Sequence, residues 1–131
     1  MSKLSILIVE DEAIIAYDLA GKVRQLGYDV AGTTALGEEA IELVRLHRPA
    51  LVLMDVQLAG AMDGIAAAIQ INRECHLPIL FLTANADLGT DERALRAGAV
   101  GIIKKPFDKR DVRIQIEKAL RQNATEKSGS L

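Results

Sequence analysis

The sequence has one cysteine, Cys75, no tryptophan, two tyrosines and two phenylalanines in 131 residues. A lone cysteine excludes an internal disulfide and any multi-cysteine metal cluster. Helix-face packing is therefore the expected role of Cys75, and an unpaired thiol suits a reducing compartment, so a cytoplasmic location is expected. Aromatic content of 3% removes the stacking platforms that bind exposed bases. Charge of one sign is also scarce in excess: 16 Lys and Arg against 18 Asp and Glu leave a net charge of −2. That balance gives no electrostatic reason to expect direct nucleic-acid or membrane binding. Long apolar runs are missing too. The runs Leu4 to Val9, Ala50 to Met54 and Leu77 to Leu82 fall far short of the ~20 residues that span a bilayer. The first of them stops at Glu10, Asp11 and Glu12, and no signal peptide is expected.

What remains is a chain that is 50% hydrophobic, enough for one core, at a length that fits one domain. Short apolar runs alternate with segments of helical periodicity. Leu4 to Val9 is a first strand. A helix follows with Ile15, Leu19, Val23 and Leu26 on one face, closed by Gly27 at a C′ position. Tyr28 to Thr33 is a less apolar strand, and Gly37 to His47 a second helix with Ala40, Ile41 and Val44 inward, ending before Pro49. Ala50 to Met54 has the unbroken apolar character of a central parallel strand covered on both faces. Asp63 caps a third helix bearing Ile65, Ala68, Ile69 and Asn72, its isoleucines expected in the core like the Ile and Leu stripes of the other helices. Pro78 opens a fourth strand, Ile79 to Leu82. A shorter helix follows Thr90, with Ala94, Leu95 and Ala97 inward. Val100 to Ile103 is a fifth strand. Asp108 and Asp111 cap a last helix with Val112, Ile116, Ala119 and Leu120 inward. The polar segment from Gln122 onward is expected to be a disordered tail or a cut linker, so residues 1–122 form the domain.

Five βα units in succession imply an α/β fold, a parallel sheet with helices on both faces. In such sheets functional groups gather beyond the carboxyl ends of the strands. There this reading places Glu10 and Asp11 after the first strand, Asp55 after the third, Thr83 after the fourth, and Lys104, Lys105 and Pro106 after the fifth. Clustered carboxylates repel one another, and a hard cation such as Mg²⁺ relieves that repulsion through oxygen ligands. An aspartate so placed can act as a nucleophile toward phosphorus, with the metal, Lys105 and Thr83 holding the oxygens of the transferring group.

The segments LIVEDE (Leu7 to Glu12), LVLMDVQL (Leu51 to Leu58), ILFLTAN (Ile79 to Asn85) and GIIKKPF (Gly101 to Phe107) resemble the signature blocks of bacterial two-component receiver domains of the chemotaxis-regulator type. They stand in family order at near-family spacing, from about Leu4 to Leu120. The resemblance implies a flavodoxin-like, doubly wound (βα)5 sandwich with strand order 2-1-3-4-5. It implies that Asp55 is the phosphoacceptor, that Asp11 and Asp55 ligate Mg²⁺, that Glu10 reaches the ion through water, and that the main-chain carbonyl of Gln57 completes the protein ligands. Thr83 and Lys105 then stabilise the phosphoryl group, Lys105 rather than Lys104 because the family lysine directly precedes the proline, and the Lys105–Pro106 bond is cis. The implied partners are a sensor histidine kinase or phosphotransfer protein upstream and an unknown protein downstream. A homodimer through the face of the fourth helix, fifth strand and last helix is a further expectation. No substrate turnover is implied beyond the chain's own phosphorylation and dephosphorylation.

Two positions depart from the family. Ile102 stands where many members carry an aromatic switch residue, so activation here has no rotating ring. The loop AGAMDG (Ala59 to Gly64) lacks the usual proline and is one residue longer than the common pattern. Blander roles exist for single residues: Asp11 and Glu12 as acids at a helix start, Thr83 as a strand-end hydroxyl, Lys104 as a solvated edge residue, Asp63 as a helix cap. Gly64, Gly89 and Gly101 fit turns or close packing. His47 and His76 lie away from the proposed edge. Three other functions compete. A phosphohydrolase of the haloacid dehalogenase type wants a second aspartate where Gln57 stands. A receiver-like module that never takes phosphate is opposed by the intact acids, Thr83 and Lys105. The receiver fragment of a longer regulator or hybrid kinase is decided by the length of the native reading frame.

Overall fold

The structure, a computed structural model, describes residues 3–84, 92–94 and 96–129, with side chains through Asn123. Five strands form one wholly parallel sheet: β1 (Ser5–Val9), β2 (Asp29–Thr34), β3 (Leu51–Asp55), β4 (Ile79–Thr83) and β5 (Gly101–Lys104). Their order is β2-β1-β3-β4-β5. The helices are α1 (Ala13–Gln25), α2 (Gly37–His47), α3 (Gly64–Glu74) and a C-terminal helix (Lys109–Gly129). Residues 92–94 and 96 are helical and precede β5. Strand positions differ from the apolar runs by about one residue: β1 begins at Ser5, and in β3, β4 and β5 pairing extends onto the polar residue that follows the run. Asp55 and Thr83 are thereby the last residues of their strands.

Alternation along the strands sends side chains to opposite faces. Leu7, Val9, Val52, Met54, Ile79 and Phe81 pack with Ala40, Ile41 and Val44 of α2 and Ile65, Ala68 and Ile71 of α3. Ile6, Ile8, Leu51, Leu53, Leu80, Leu82 and Ile103 pack with Leu19 and Val23 of α1 and Val112, Ile116 and Ala119 of the C-terminal helix. β3 and β4 are buried along their whole length, as strands covered by helices on both sides must be. Burial of Ala94 and Ala97 adds the segment before β5 to the first of these layers; Leu95 lies outside the described residues, as does Gly89.

The helix ends follow from local chemistry. Gly27 (φ +97°) closes α1, with its N–H donating to Arg24 O and that of Tyr28 to Val23 O, so the final carbonyls are satisfied. Arg48 in the left-handed region ends α2 before Pro49. Asp63 Oδ1 accepts from Ala66 N at 2.8 Å and starts α3. Asp108 and Asp111 cap the last helix reciprocally: Asp111 N to Asp108 Oδ1 is 2.8 Å, and Asp108 N to Asp111 Oδ2 is 3.1 Å.

Two expectations are corrected. Ile69 is 40% exposed; Ala67 and Ile71 take the inward places beside Ile65 and Ala68, because α3 turns its face toward α2 as well as the sheet. The C-terminal helix also continues to Gly129, through a segment expected to be a disordered tail or a cut linker. Extending an existing helix needs no new nucleus, and Ala124, Glu126 and Lys127 are good helix formers.

Candidate functional site

The sheet order reverses between β1 and β3. Both strands leave this switch point at their carboxyl ends, and ligand sites in open α/β sheets form there. β1 delivers Glu10 and Asp11, β3 delivers Asp55, β4 delivers Thr83, and the turn after β5 delivers Lys105. Glu10, Asp55 and Thr83 are buried, whereas Asp11 is exposed. Asp11, Glu12, Asp55, Gln57, Leu58, Thr83, Ala84 and Lys105 line a cleft of about 350 Å³. Glu10 lies beneath it.

The Asp55 carboxylate is held at both oxygens. Oδ1 accepts from the Gln57 N–H at 3.0 Å, and Oδ2 from Lys105 Nζ at 2.8 Å. The same ammonium lies 2.8 Å from Glu10 Oε2. Glu10 Oε1 accepts from the Glu12 N–H at 3.1 Å, while the buried Oε2 has no aligned hydrogen-bond donor among the described residues, so its contact with Lys105 is an ion pair only. The Lys105 N–H donates to Thr83 O at 2.8 Å, which pins the turn after β5 to the end of β4. The Lys105–Pro106 peptide is cis.

This crowding shifts ionisation. Burial, reinforced by the nearby Asp55, pushes the Glu10 carboxyl up to about 7, against the pull of Lys105 and the Glu12 N–H. Burial also opposes the charge on Lys105, but its hydrogen bond to Asp55 and the attraction of Glu10 outweigh that, and its pKa lies above the ordinary lysine value. One cation thus serves two acids.

Each of Glu10, Asp11 and Asp55 offers a carboxylate oxygen within 4.8 Å of the others. Three hard oxygen donors, one buried oxygen lacking an aligned donor and an open side toward solvent suit a small divalent cation that keeps part of its water. Gln57 is at the cleft wall. Lys104 is exposed beside it, paired in register with Thr83. Ile102 lies opposite Phe81, half-buried against the core layer of α2 and α3 and away from the cleft. The long loop after β3 forms a parallel bridge between Ala59 and Leu36, with Gly60 at φ +87°. His47 and His76 are exposed and outside the cleft.

Some site features were not read from the sequence. Leu58 and Ala84 line the cleft only because they follow Gln57 and Thr83. The Glu12 N–H fixes Glu10 through the first turn beyond β1, which no residue type announces.

The family model described as "Response regulator receiver domain" matches residues 6–117. The chain belongs to that family. This receiver domain is 44% identical over 115 residues to the transcriptional regulatory protein PdtaR of Mycobacterium tuberculosis, covering 88% of the chain and 56% of PdtaR. It is 34% identical over 122 residues to the probable transcriptional regulator ycf27 of Cyanophora paradoxa, covering 93% and 50%. The receiver domain thus spans about half the length of these curated relatives. Among solved structures, the signal receiver domain of a modulated diguanylate cyclase from Desulfovibrio desulfuricans superposes with a TM-score of 0.87 at 37% identity, covering 93% of this chain and 97% of that one. The strand order of the receiver domain is the flavodoxin-like one expected of the family. No helix among the described residues is long and apolar enough to cross a membrane.

Proposed function

We propose that this receiver domain takes a phosphoryl group on Asp55 from a histidine of a sensor kinase or phosphotransfer protein. The observation that carries the reading is the arrangement around one carboxylate: Lys105 Nζ 2.8 Å from Asp55 Oδ2, with a carboxylate oxygen of each of Glu10 and Asp11 within 4.8 Å of one of Asp55's. In the transfer, an Asp55 oxygen attacks phosphorus, the P–N bond to the donor imidazole breaks, and the imidazole leaves with its electron pair. Hydrolysis of the acyl phosphate by water returns Asp55 and releases inorganic phosphate. The chain's chemistry is confined to this cycle, and it turns over no other substrate.

Glu10, through water, with Asp11, Asp55 and the Gln57 carbonyl would hold Mg²⁺, which when bound neutralises charge on the acids and on the incoming phosphoryl oxygens. Lys105 pairs with a phosphoryl oxygen and Thr83 offers its hydroxyl to another. The acyl phosphate adds about −1.5 to −2 of charge. Drawing Thr83 and Lys105 toward that charge shifts the ends of β4 and β5 and re-poises the face of the fourth helix, β5 and the C-terminal helix. That face would bind the downstream protein or a second copy of the domain. Because Ile102 is aliphatic, the change runs through the strand ends and not through a rotating ring. Residues 1–122 would be the receiver unit, in the cytoplasm, with the helix beyond them a connector in a longer regulator.

Beryllofluoride, which mimics the acyl phosphate, tests the reading. Fluorine NMR should show one bound species that requires Mg²⁺ and disappears in Asp55→Asn. A bound species that persists in Asp55→Asn would refute it.

A further inference from the structure

We propose that Gly64 is a positioning residue for the acceptor site: its missing side chain lets the first turn of α3 brace the backbone that aims the Asp55 carboxylate. This rests on the reading of Asp55 as phosphoacceptor. A Cβ built on Gly64 would lie 1.9 Å from the Asp55 carbonyl oxygen, 2.9 Å from its carbonyl carbon and 3.1 Å from Met54 Cγ. The first two neighbours are backbone of a buried central strand and have no flexible end to move. The backbone angles do not demand glycine, since the positive-φ glycines among the described residues are Gly27, Gly60 and Gly98. Space alone excludes a side chain here.

The contact leads to the carboxylate through a single peptide unit. The Gly64 N–H donates to Val56 O at 2.9 Å. The N–H on the other side of that Val56–Gln57 peptide is the one that donates to Asp55 Oδ1 at 3.0 Å. The Val56 N–H in turn donates to Leu82 O at 3.1 Å, so the chain just past Asp55 is held by β4 on one side and α3 on the other. The Gln57 carbonyl comes next along the same backbone. Any side chain at 64 must lift α3 or turn the peptides beyond Asp55. Either movement misdirects Asp55 Oδ1 and the Gln57 carbonyl together.

Gly37 supplies the control. A Cβ there would meet the Ala67 and Met62 side chains at 3.2 Å, so Gly37→Ala crowds the α2–α3 contact without touching the acceptor backbone. Calorimetric Mg²⁺ titration of the whole chain is the main readout, with urea unfolding to rank the stabilities. Gly64→Ala should weaken Mg²⁺ binding about tenfold or more, as loss of a group that orients metal ligands does, while Gly37→Ala, whose side-chain contacts are milder, binds like wild type. If Gly64→Ala does not fold, a semisynthetic backbone ester at residue 64, which removes the N–H and adds no bulk, decides: about fivefold weaker binding is expected from loss of that one hydrogen bond. Wild-type affinity in a folded Gly64→Ala, in the ester variant, or an equal loss in Gly37→Ala overturns the inference. Absence of Mg²⁺ binding in the wild type would instead overturn the reading of the site, and this inference with it.

Discussion

Lys105 Nζ sits 2.8 Å from Asp55 Oδ2, a pair separated by fifty residues of sequence and brought together by the order of the sheet. The same nitrogen lies 2.8 Å from Glu10 Oε2, and the side chains of all three are nearly or wholly buried. Lys105→Met should therefore destabilise the protein in EDTA by about 3 kcal/mol, since removal of one partner leaves buried charge uncompensated. Added Mg²⁺ should raise the urea midpoint of this variant more than that of wild type. Its phosphorylation by acetyl phosphate should slow about 10²-fold, the usual effect of losing one charge-stabilising donor.

The raised pKa of Glu10 gives a pH dependence with a definite sign. With a folded value of about 7 against 4.5 for the free side chain, the folded state binds this proton more tightly than the unfolded state. The associated stability is fully present below pH 4.5 and is lost as pH rises through 7. Urea midpoints in EDTA should accordingly fall between pH 5 and 8 by more in wild type than in Glu10→Gln. A fall of equal size in both proteins would assign the effect elsewhere.

Asp63 is a cap and stands outside the carboxylate cluster. Asp63→Ala should cost about 1 kcal/mol in urea unfolding. Labelling of Asp55 should survive in the folded variant, because Gly64 and the Val56 carbonyl remain in place.

Asn72 Nδ2 donates to Ala97 O at 2.8 Å, and a Cβ on Gly98, at φ +92°, would fall 2.2 Å from that nitrogen. Asn72→Ala should cost about 1–2 kcal/mol by orphaning a carbonyl. Gly98→Ala should cost more than about 1 kcal/mol from strain and collision. The double variant should lose less than the sum, since the first change vacates the volume the second fills. Strict additivity in urea unfolding would contradict this geometry.

The strands were legible because a parallel sheet covered on both faces leaves long apolar signatures, as in Leu51 to Met54. The helix limits were legible wherever a residue type has one local use, as with Gly27 and Asp63. The gathering of Glu10, Asp11, Asp55, Thr83 and Lys105 followed from the rule for strand ends. Ile69 was misplaced because periodicity finds a helix face but not how that face is divided between sheet and neighbouring helix. The helix beyond Leu120 was missed because it has no apolar stripe, and continuation of a formed helix needs none. Glu10 read as a second acid beside Asp11. It is deeply buried, and its N–H donates to Thr34 O at 2.9 Å, a contact across strands that no single segment encodes.

Intact-mass analysis after incubation with acetyl phosphate tests the central claim most directly. One added phosphoryl group should appear in wild type with Mg²⁺, vanish with EDTA, and be absent from Asp55→Asn. Undiminished labelling of a folded Asp55→Asn, or none in wild type with Mg²⁺ present, would contradict it.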